Sequence, residues 1–160
     1  MKDTNTKYTI AKLDKHDLKS FRKLIQMFHE VFETGQKEQA KKSHLNKLLK
    51  NPHFVALAAL DGKEVIGGLT AYILPQYYSA NPEMYIYDMA VKSNMQRKGI
   101  GKELVKVLKK YCQQNKIKVM FVEAHAKDKH AVNFYRSTGG EQEEVAHFNY
   151  FIKNQISAKK

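Results

Sequence analysis

Apolar positions change their period several times along this chain, and each change marks an element. Thr9 to Leu13 predicts a short strand. After Asp14 and Asp17, either of which suits a helix N-cap, Leu18, Phe21, Leu24, Ile25, Phe28, Val31 and Phe32 fall at helical spacing and make one apolar face. Leu45, Leu48 and Leu49 give a second, weaker helix. Asn51-Pro52 stops it, because the proline ring disfavours helical geometry at the preceding residue. Two apolar runs, Phe54 to Leu60 and Val65 to Leu74, flank Asp61-Gly62, a pair suited to the positive φ of a tight turn, and are expected to be antiparallel neighbours.

Met84 to Val91 reads as a strand. Gly101 to Gln114 reads as a helix with Leu104, Val105, Leu108 and Tyr111 inward, and Val119 to Ala124 as a strand again. Strand, helix, strand in that order implies a right-handed parallel crossover. Ala131 to Ser137 predicts a short helix that Gly139-Gly140 terminates, glycine being the usual left-handed stop. Val145 to Ile152 is expected to close the sheet. The pattern describes one α/β domain over residues 1–160, with a mixed, mostly antiparallel sheet, a central parallel crossover and flanking helices. The ends, about 1–7 and 153–160, are expected to fray. No internal repeat or linker interrupts it.

Composition narrows the class. At 160 residues and 42% apolar, the chain can bury enough surface to fold without staples, and its one cysteine, Cys112, cannot form an internal bridge. The start, Met1 to Ile10, has no apolar signal core, and no window approaches a membrane-spanning length, so a cytoplasmic protein that does not bind membrane is expected. Charge is uneven: 28 Lys and Arg against 16 Asp and Glu give +12. Between Lys92 and Lys118 nine basic residues face one acid, Glu103, so that this segment holds +8 of the total. Such a field concentrates a polyanion, whether a nucleotide phosphate, a nucleic acid or an acidic surface.

Candidate chemistry begins at Gln96, Arg97, Lys98, Gly99, Ile100 and Gly101, between a predicted strand and the basic helix. Glycine there permits close backbone approach, and the unpaired N–H groups of a helix start can cradle a phosphate. The spacing is neither that of the nucleoside-triphosphate loop nor that of the dinucleotide fingerprint, and an ordinary helix start with a solvated basic face would look the same.

These six residues resemble the Arg/Gln-x-x-Gly-x-Gly/Ala acetyl-coenzyme A signature of the GNAT superfamily of N-acetyltransferases. Downstream, Ala131 to Tyr135 with Gly139 is similar to that superfamily's AxxFYxxxGF stretch. Phe54 to Leu60, Ala71 to Pro75, Tyr85 to Val91 and Glu144 to Asn149 are similar to stretches of the aminoglycoside 3-N-acetyltransferases. The similarity runs from about Lys19 to Tyr150.

The resemblance implies a single GNAT domain that acetylates a primary amine of a small molecule with acetyl-coenzyme A as co-substrate. An aminoglycoside, modified at its 3-N position with antibiotic resistance as the consequence, is the implied acceptor. Met89, Ala90 and Val91 would line the coenzyme, with the Met89 N–H near the thioester oxygen. Gln96, Arg97, Lys98, Gly99, Ile100, Gly101 and Lys102 would hold its pyrophosphate, and Asp128 would stand on the other side of the site. Tyr135 matches the tyrosine that protonates the departing thiolate; as a core aromatic it would do no chemistry. Asp88 and Glu123 are the acids placed to attract or deprotonate an amine, or else a paired strand-end carboxylate and a solvated rim acid. A homodimer is compatible with the resemblance.

Some residues depart from the pattern. Where the aminoglycoside enzymes carry an acid-rich stretch, this chain has Ala124 to His130 with His125, Lys127, Lys129 and His130, and Asn149 replaces a usual Asp. That keeps a polyamine, another small amine or a peptide amine open as acceptor. A basic nucleic-acid module is disfavoured, because Tyr111 is the only aromatic between Lys92 and Lys118. A GNAT domain that binds coenzyme A without transfer is the remaining alternative. No metal is expected: His125 and His130 have no cysteine partner or HExxH spacing. His147 is expected to be structural, Cys112 a small apolar packer, and Tyr77-Tyr78 a loop pair at the acceptor rim or over the sheet edge.

Overall fold

A computed structural model describes residues 8–35 and 39–152. The ends expected to fray, 1–7 and 153–160, lie outside the described residues. Strands β1 (Thr9–Lys12), β2 (Phe54–Asp61), β3 (Glu64–Leu74), β4 (Glu83–Val91) and β5 (Val119–Val122) form one sheet in the order β1-β2-β3-β4-β5. The first four are antiparallel, and β4 pairs with β5 in parallel. Helices α1 (Leu18–Val31), α2 (Lys42–Leu49), α3 (Ile100–Gln114) and α4 (Lys129–Ser137) complete the α/β domain. No helix among the described residues is long and apolar enough to cross a membrane.

The sheet separates two cores. On one face α1 and α2 bury Phe21, Leu24, Met27, Phe28 and Leu45 against Phe54, Ala56, Ala58 and Val65. On the other, α3 buries Ile100, Leu104, Leu108 and Cys112 against Val55, Leu57, Ile66, Leu69, Met84 and Ile86. Each such side chain removed from water contributes about 1.5–3 kcal/mol. Burial also pushes the Cys112 thiol up to about 11, the environment of an unreactive packing residue.

Close approach dictates two glycines. A Cβ on Gly68 would lie 2.4 Å from the Leu57 carbonyl oxygen, and one on Gly101 would lie 3.0 Å from the Phe134 ring, which seats α4 against the start of α3. The hairpin turn is as expected, with Gly62 at φ +57.

Two expectations are corrected. Neither aspartate caps α1 through its side chain: Asp17 accepts from the Asp14 N–H and Asp14 from the His16 N–H, so the pair folds the approach to the helix. The segment from Val145 to Ile152 adds no strand, and Val145, Phe148, Tyr150, Phe151 and Ile152 stay 75–88% exposed. The sheet ends at β5.

Candidate active site

The site follows from one extra residue in β4. Thr70 of β3 pairs with Asp88, but its neighbour Ala71 pairs with Ile86, leaving Tyr87 as a bulge. Side chains alternate faces along a strand, and a one-residue slip reverses the alternation. Met84 and Ile86 accordingly pack in the α3-side core, whereas Ala90 packs on the α1 side. Asp88 turns with Ala90 and feels the charge of His29 on α1. A row of rings on the same face joins Tyr72 to Tyr87 at 5.7 Å, Tyr87 to Tyr85 at 6.0 Å and Tyr85 to Phe121 at 5.0 Å between centroids. Burial holds the Asp88 carboxyl above the usual range for aspartate, and His29 offsets this in part. Among the described residues Asp88 makes no ion pair or hydrogen bond at contact distance, and His29 is the base whose charge acts on it.

Strands β4 and β5 pair only from Glu83 opposite Val119 to Ile86 opposite Val122. Beyond that point β5 has ended while β4 runs on, which opens the expected wedge. The Lys92 N–H bonds to the Ile66 carbonyl, one step beyond the Gly67–Val91 pair of the β3–β4 register. By strict antiparallel alternation Ala90 and Asp88 then direct their main chain at β3, and Met89 and Val91 direct theirs into the wedge. The Val91 carbonyl accepts from the Gln96 side chain at 3.1 Å, consistent with that direction. Ala90 therefore borders the wedge without pairing across it.

The loop after β4 makes a short 3-10 turn, Ser93–Met95, and then two left-handed residues, Arg97 at φ +63 and Gly99 at φ +84. Gly99 is the N-cap of α3, and no side chain caps the helix. A Cβ on Gly99 would meet nothing within 4 Å. The space beside this N-cap is thus open, next to Arg97, Lys98 and Lys102, which are all exposed. Ile100 is buried and anchors the helix start in the core. Uncapped donors, the positive end of a helix and three cations suit a phosphate.

Tyr135 lies on α4, half-buried. Burial raises its phenol first, and the charges of Asp128 and Asp88 add to this, so it remains a proton donor at neutral pH. Among the described residues no protein group accepts from its hydroxyl. Asp128 is the N-cap of α4, accepting from the Ala131 N–H at 3.0 Å. Glu123, just past β5, pairs with His147 Nδ1 at 3.2 Å, and His147 Nε2 lies 3.1 Å from Asn149 Oδ1. Contact with Asn149 first, and then Glu123, raises the His147 imidazole.

Asp88, Tyr135, Tyr85 and Tyr72 are brought together electrostatically, since all three phenols feel the Asp88 charge. Burial is the leading cause for Tyr85, and Glu123 is the next. His29, Tyr72 and Tyr87 were not singled out from sequence. Helical spacing from Ile25 to His29 and Phe32 is the signal that points to His29, whereas Tyr72 and Tyr87 are marked only by the strand register. Tyr77 and Tyr78 pack edge to face and remain exposed outside this cluster. An open cavity of about 480 Å³ between α1 and β3 lies elsewhere, and its Lys23 and Lys92 are tied to the Lys63 carbonyl and to Glu64.

Solved structures resemble this chain over nearly its whole length. A crystal structure of an aminoglycoside acetyltransferase from an uncultured soil metagenomic sample, in complex with sisomicin, is 40% identical; the match covers 91% of this chain and 97% of that one with a TM-score of 0.89. A second aminoglycoside acetyltransferase from an uncultured soil metagenomic sample is 32% identical over 92% and 99% of the two chains, with a TM-score of 0.86. An aminoglycoside 6'-N-acetyltransferase in complex with coenzyme A shares the fold at 16% identity, covering 94% and 99% with a TM-score of 0.77. No curated protein sequence matches the chain. The acetyltransferase (GNAT) family model matches residues 18–139. With the wedge, the uncapped α3 and the parallel β4–β5 pair in place, the chain belongs to the acetyltransferase (GNAT) family.

Proposed function

We propose that this enzyme transfers the acetyl group of acetyl-coenzyme A to a primary amine of an aminoglycoside, at the 3-N position that the sequence resemblance implies. The observation that carries the reading is Asp88: a half-buried carboxylate that makes no hydrogen bond or ion pair among the described residues and is only partly compensated by His29, set among tyrosines where β4 parts from β5. A buried anion of this kind is costly to leave unpaired, and a cationic amine compensates it. Aromatic faces beside it suit the apolar faces and ammonium groups of an amino sugar. The likeness to the sisomicin-bound acetyltransferase supports the same acceptor class.

The residues present fit the co-substrate. The main-chain edge at Met89 and Val91, where the Gln96 side chain already occupies the Val91 carbonyl, suits an amide-bearing arm added like a strand. The open Gly99 loop, Arg97, Lys98, Lys102 and the first N–H groups of α3 suit its pyrophosphate. Bound there, acetyl-coenzyme A supplies an activated acyl group. The Met89 N–H donates into the wedge, where it stabilises negative charge developing on an acyl oxygen. The Tyr135 hydroxyl holds the proton that a leaving thiolate needs. Asp88 orients the acceptor ammonium and draws its proton toward the tyrosine-lined face, and Glu123 extends the negative surface at the rim. Asp128 serves the site by fixing the start of the helix that carries Tyr135.

The test is thiol release from acetyl-coenzyme A over a panel of aminoglycosides, polyamines, monoamines and basic peptides, with the product's acetylated nitrogen located by NMR. Aminoglycosides should give the highest kcat/KM. Turnover confined to polyamines or peptides would overturn the acceptor, and acetylation at another nitrogen would overturn the 3-N position.

A further inference from the structure

The end of α1 fixes one imidazole. His29 follows Phe28, whose ring is buried in the same core as Ala90 of β4 and stacks on Phe32 at 5.6 Å between centroids. Beyond the helix Glu33 is left-handed, at φ +51, and folds the chain back. The Thr34 N–H then bonds to the His29 carbonyl at 3.3 Å, and Thr34 Oγ1 lies 3.0 Å from His29 Nδ1. Left-handed geometry at a residue other than glycine is strained, and such strain persists where a site needs the shape it gives. The result here is a half-buried imidazole held through its own carbonyl and one ring nitrogen. With Nδ1–H donating to the Thr34 hydroxyl, Nε2 is the nitrogen that takes up a proton.

Asp88 turns to the side of the sheet that α1 covers, because the bulge at Tyr87 puts it in phase with Ala90. The groups around its carboxylate come from four elements: Tyr72 on β3, Tyr85 on β4, Tyr135 on α4 and His29 on α1. Three of these are phenols, which are donors and poor acceptors of a proton at neutral pH. His29 is the base among them.

We infer that His29 is the exit for the proton that acetylation releases, taking it from Asp88 and passing it to solvent at the end of α1. The inference rests on the proposed role of Asp88 toward the acceptor. An acceptor ammonium carries three protons, and the amide product keeps one. A second replaces the proton that Tyr135 gives the thiolate as the nitrogen–carbon bond forms and the carbon–sulfur bond breaks. The third goes to the Asp88 carboxylate, then to His29 Nε2, and then to bulk water, which restores both groups for the next turnover. Asp88 and His29 make no direct hydrogen bond, so the transfer between them passes through water. His29 acts through Asp88 and touches neither substrate.

The test uses thiol release with whichever amine the acceptor panel shows to be turned over, in dilute buffer without imidazole. His29→Gln and His29→Ala should each lower kcat at least tenfold, while KM for acetyl-coenzyme A and for the amine stays within twofold of wild type. Added imidazole should restore kcat of His29→Ala in a saturable way, which replacement of a merely structural histidine would not allow. Asp88→Asn, which breaks the path before His29, should gain nothing from imidazole. Unchanged kcat in both His29 variants, a loss that imidazole leaves in place, or a loss confined to KM would overturn the relay. Full activity in Asp88→Asn would overturn the reading of Asp88 and the relay with it; slow transfer in Asp88→Asn beside full activity in His29→Gln would overturn the relay alone.

Discussion

Two side chains carry the chemistry in ways that separate function from packing. Tyr135→Phe keeps the ring on α4 and removes only a hydroxyl that no protein group binds among the described residues. Transfer should slow by about a hundredfold or more, the usual worth of a general acid, while acetyl-coenzyme A binding by calorimetry stays near wild type. Full activity would return Tyr135 to a packing role. Asp88 makes a sharper case, because burial raises its carboxyl. An acid held above its unfolded value is ionised at neutral pH only at a cost to the folded state, and that cost vanishes once pH falls below the ordinary aspartate range. Asp88→Asn should therefore raise the melting temperature at pH 7, lose that advantage on acidification, and lower kcat/KM for polycationic acceptors at least tenfold. A melting temperature that falls instead would mean that Asp88 makes a stabilising contact.

At the scale of elements, the loop into α3 and the seat of α4 respond differently to small changes. Gly99→Asp puts a side chain at φ +84 and an anion beside the uncapped helix start. It should abolish the thermal stabilisation by acetyl-coenzyme A, which for a ligand at a hundredfold its Kd is about 2.7 kcal/mol. Gly101→Ala meets the Phe134 ring instead, so it should shift α4 and reduce kcat with little change in coenzyme affinity. Kinetics and calorimetry on both variants distinguish the two glycines. The chain order of these elements was legible in the sequence, because Leu104, Val105 and Leu108, or Phe21, Leu24 and Phe28, can face inward in only one helical phase. The α3 loop was legible too, through Gly99 and the cations around it. Tyr87 was not: apart from Asp88 the run from Met84 to Val91 is apolar or aromatic, and only register against β3 shows where the phase slips. The segment from Val145 to Ile152 misled for another reason. Alternation states what a stretch will do beside a partner, and it does not say that its own chain brings one.

For the whole molecule, charge is the property that no single residue owns. A net +12, concentrated between Lys92 and Lys118, surrounds the proposed phosphate loop with positive potential. Raising ionic strength should slow association of acetyl-coenzyme A, measured by stopped-flow fluorescence, far more than it speeds release, because the Debye length shrinks from about 10 Å at 0.1 M salt to 3 Å at 1 M. An association rate indifferent to salt would leave the basic helix as a solubility device. The bulge in β4 has a different reach. By reversing the strand's alternation at Tyr87, it divides β4 into two territories that accept change under different rules: Met84 and Ile86 are committed to the core, whereas Tyr85, Tyr87 and Asp88 share an accessible face. A library randomised at Tyr85 and Tyr87 can therefore explore new acceptors without disturbing the residues that hold the sheet together, and the odd residue in β4 becomes the source of the fold's evolvability.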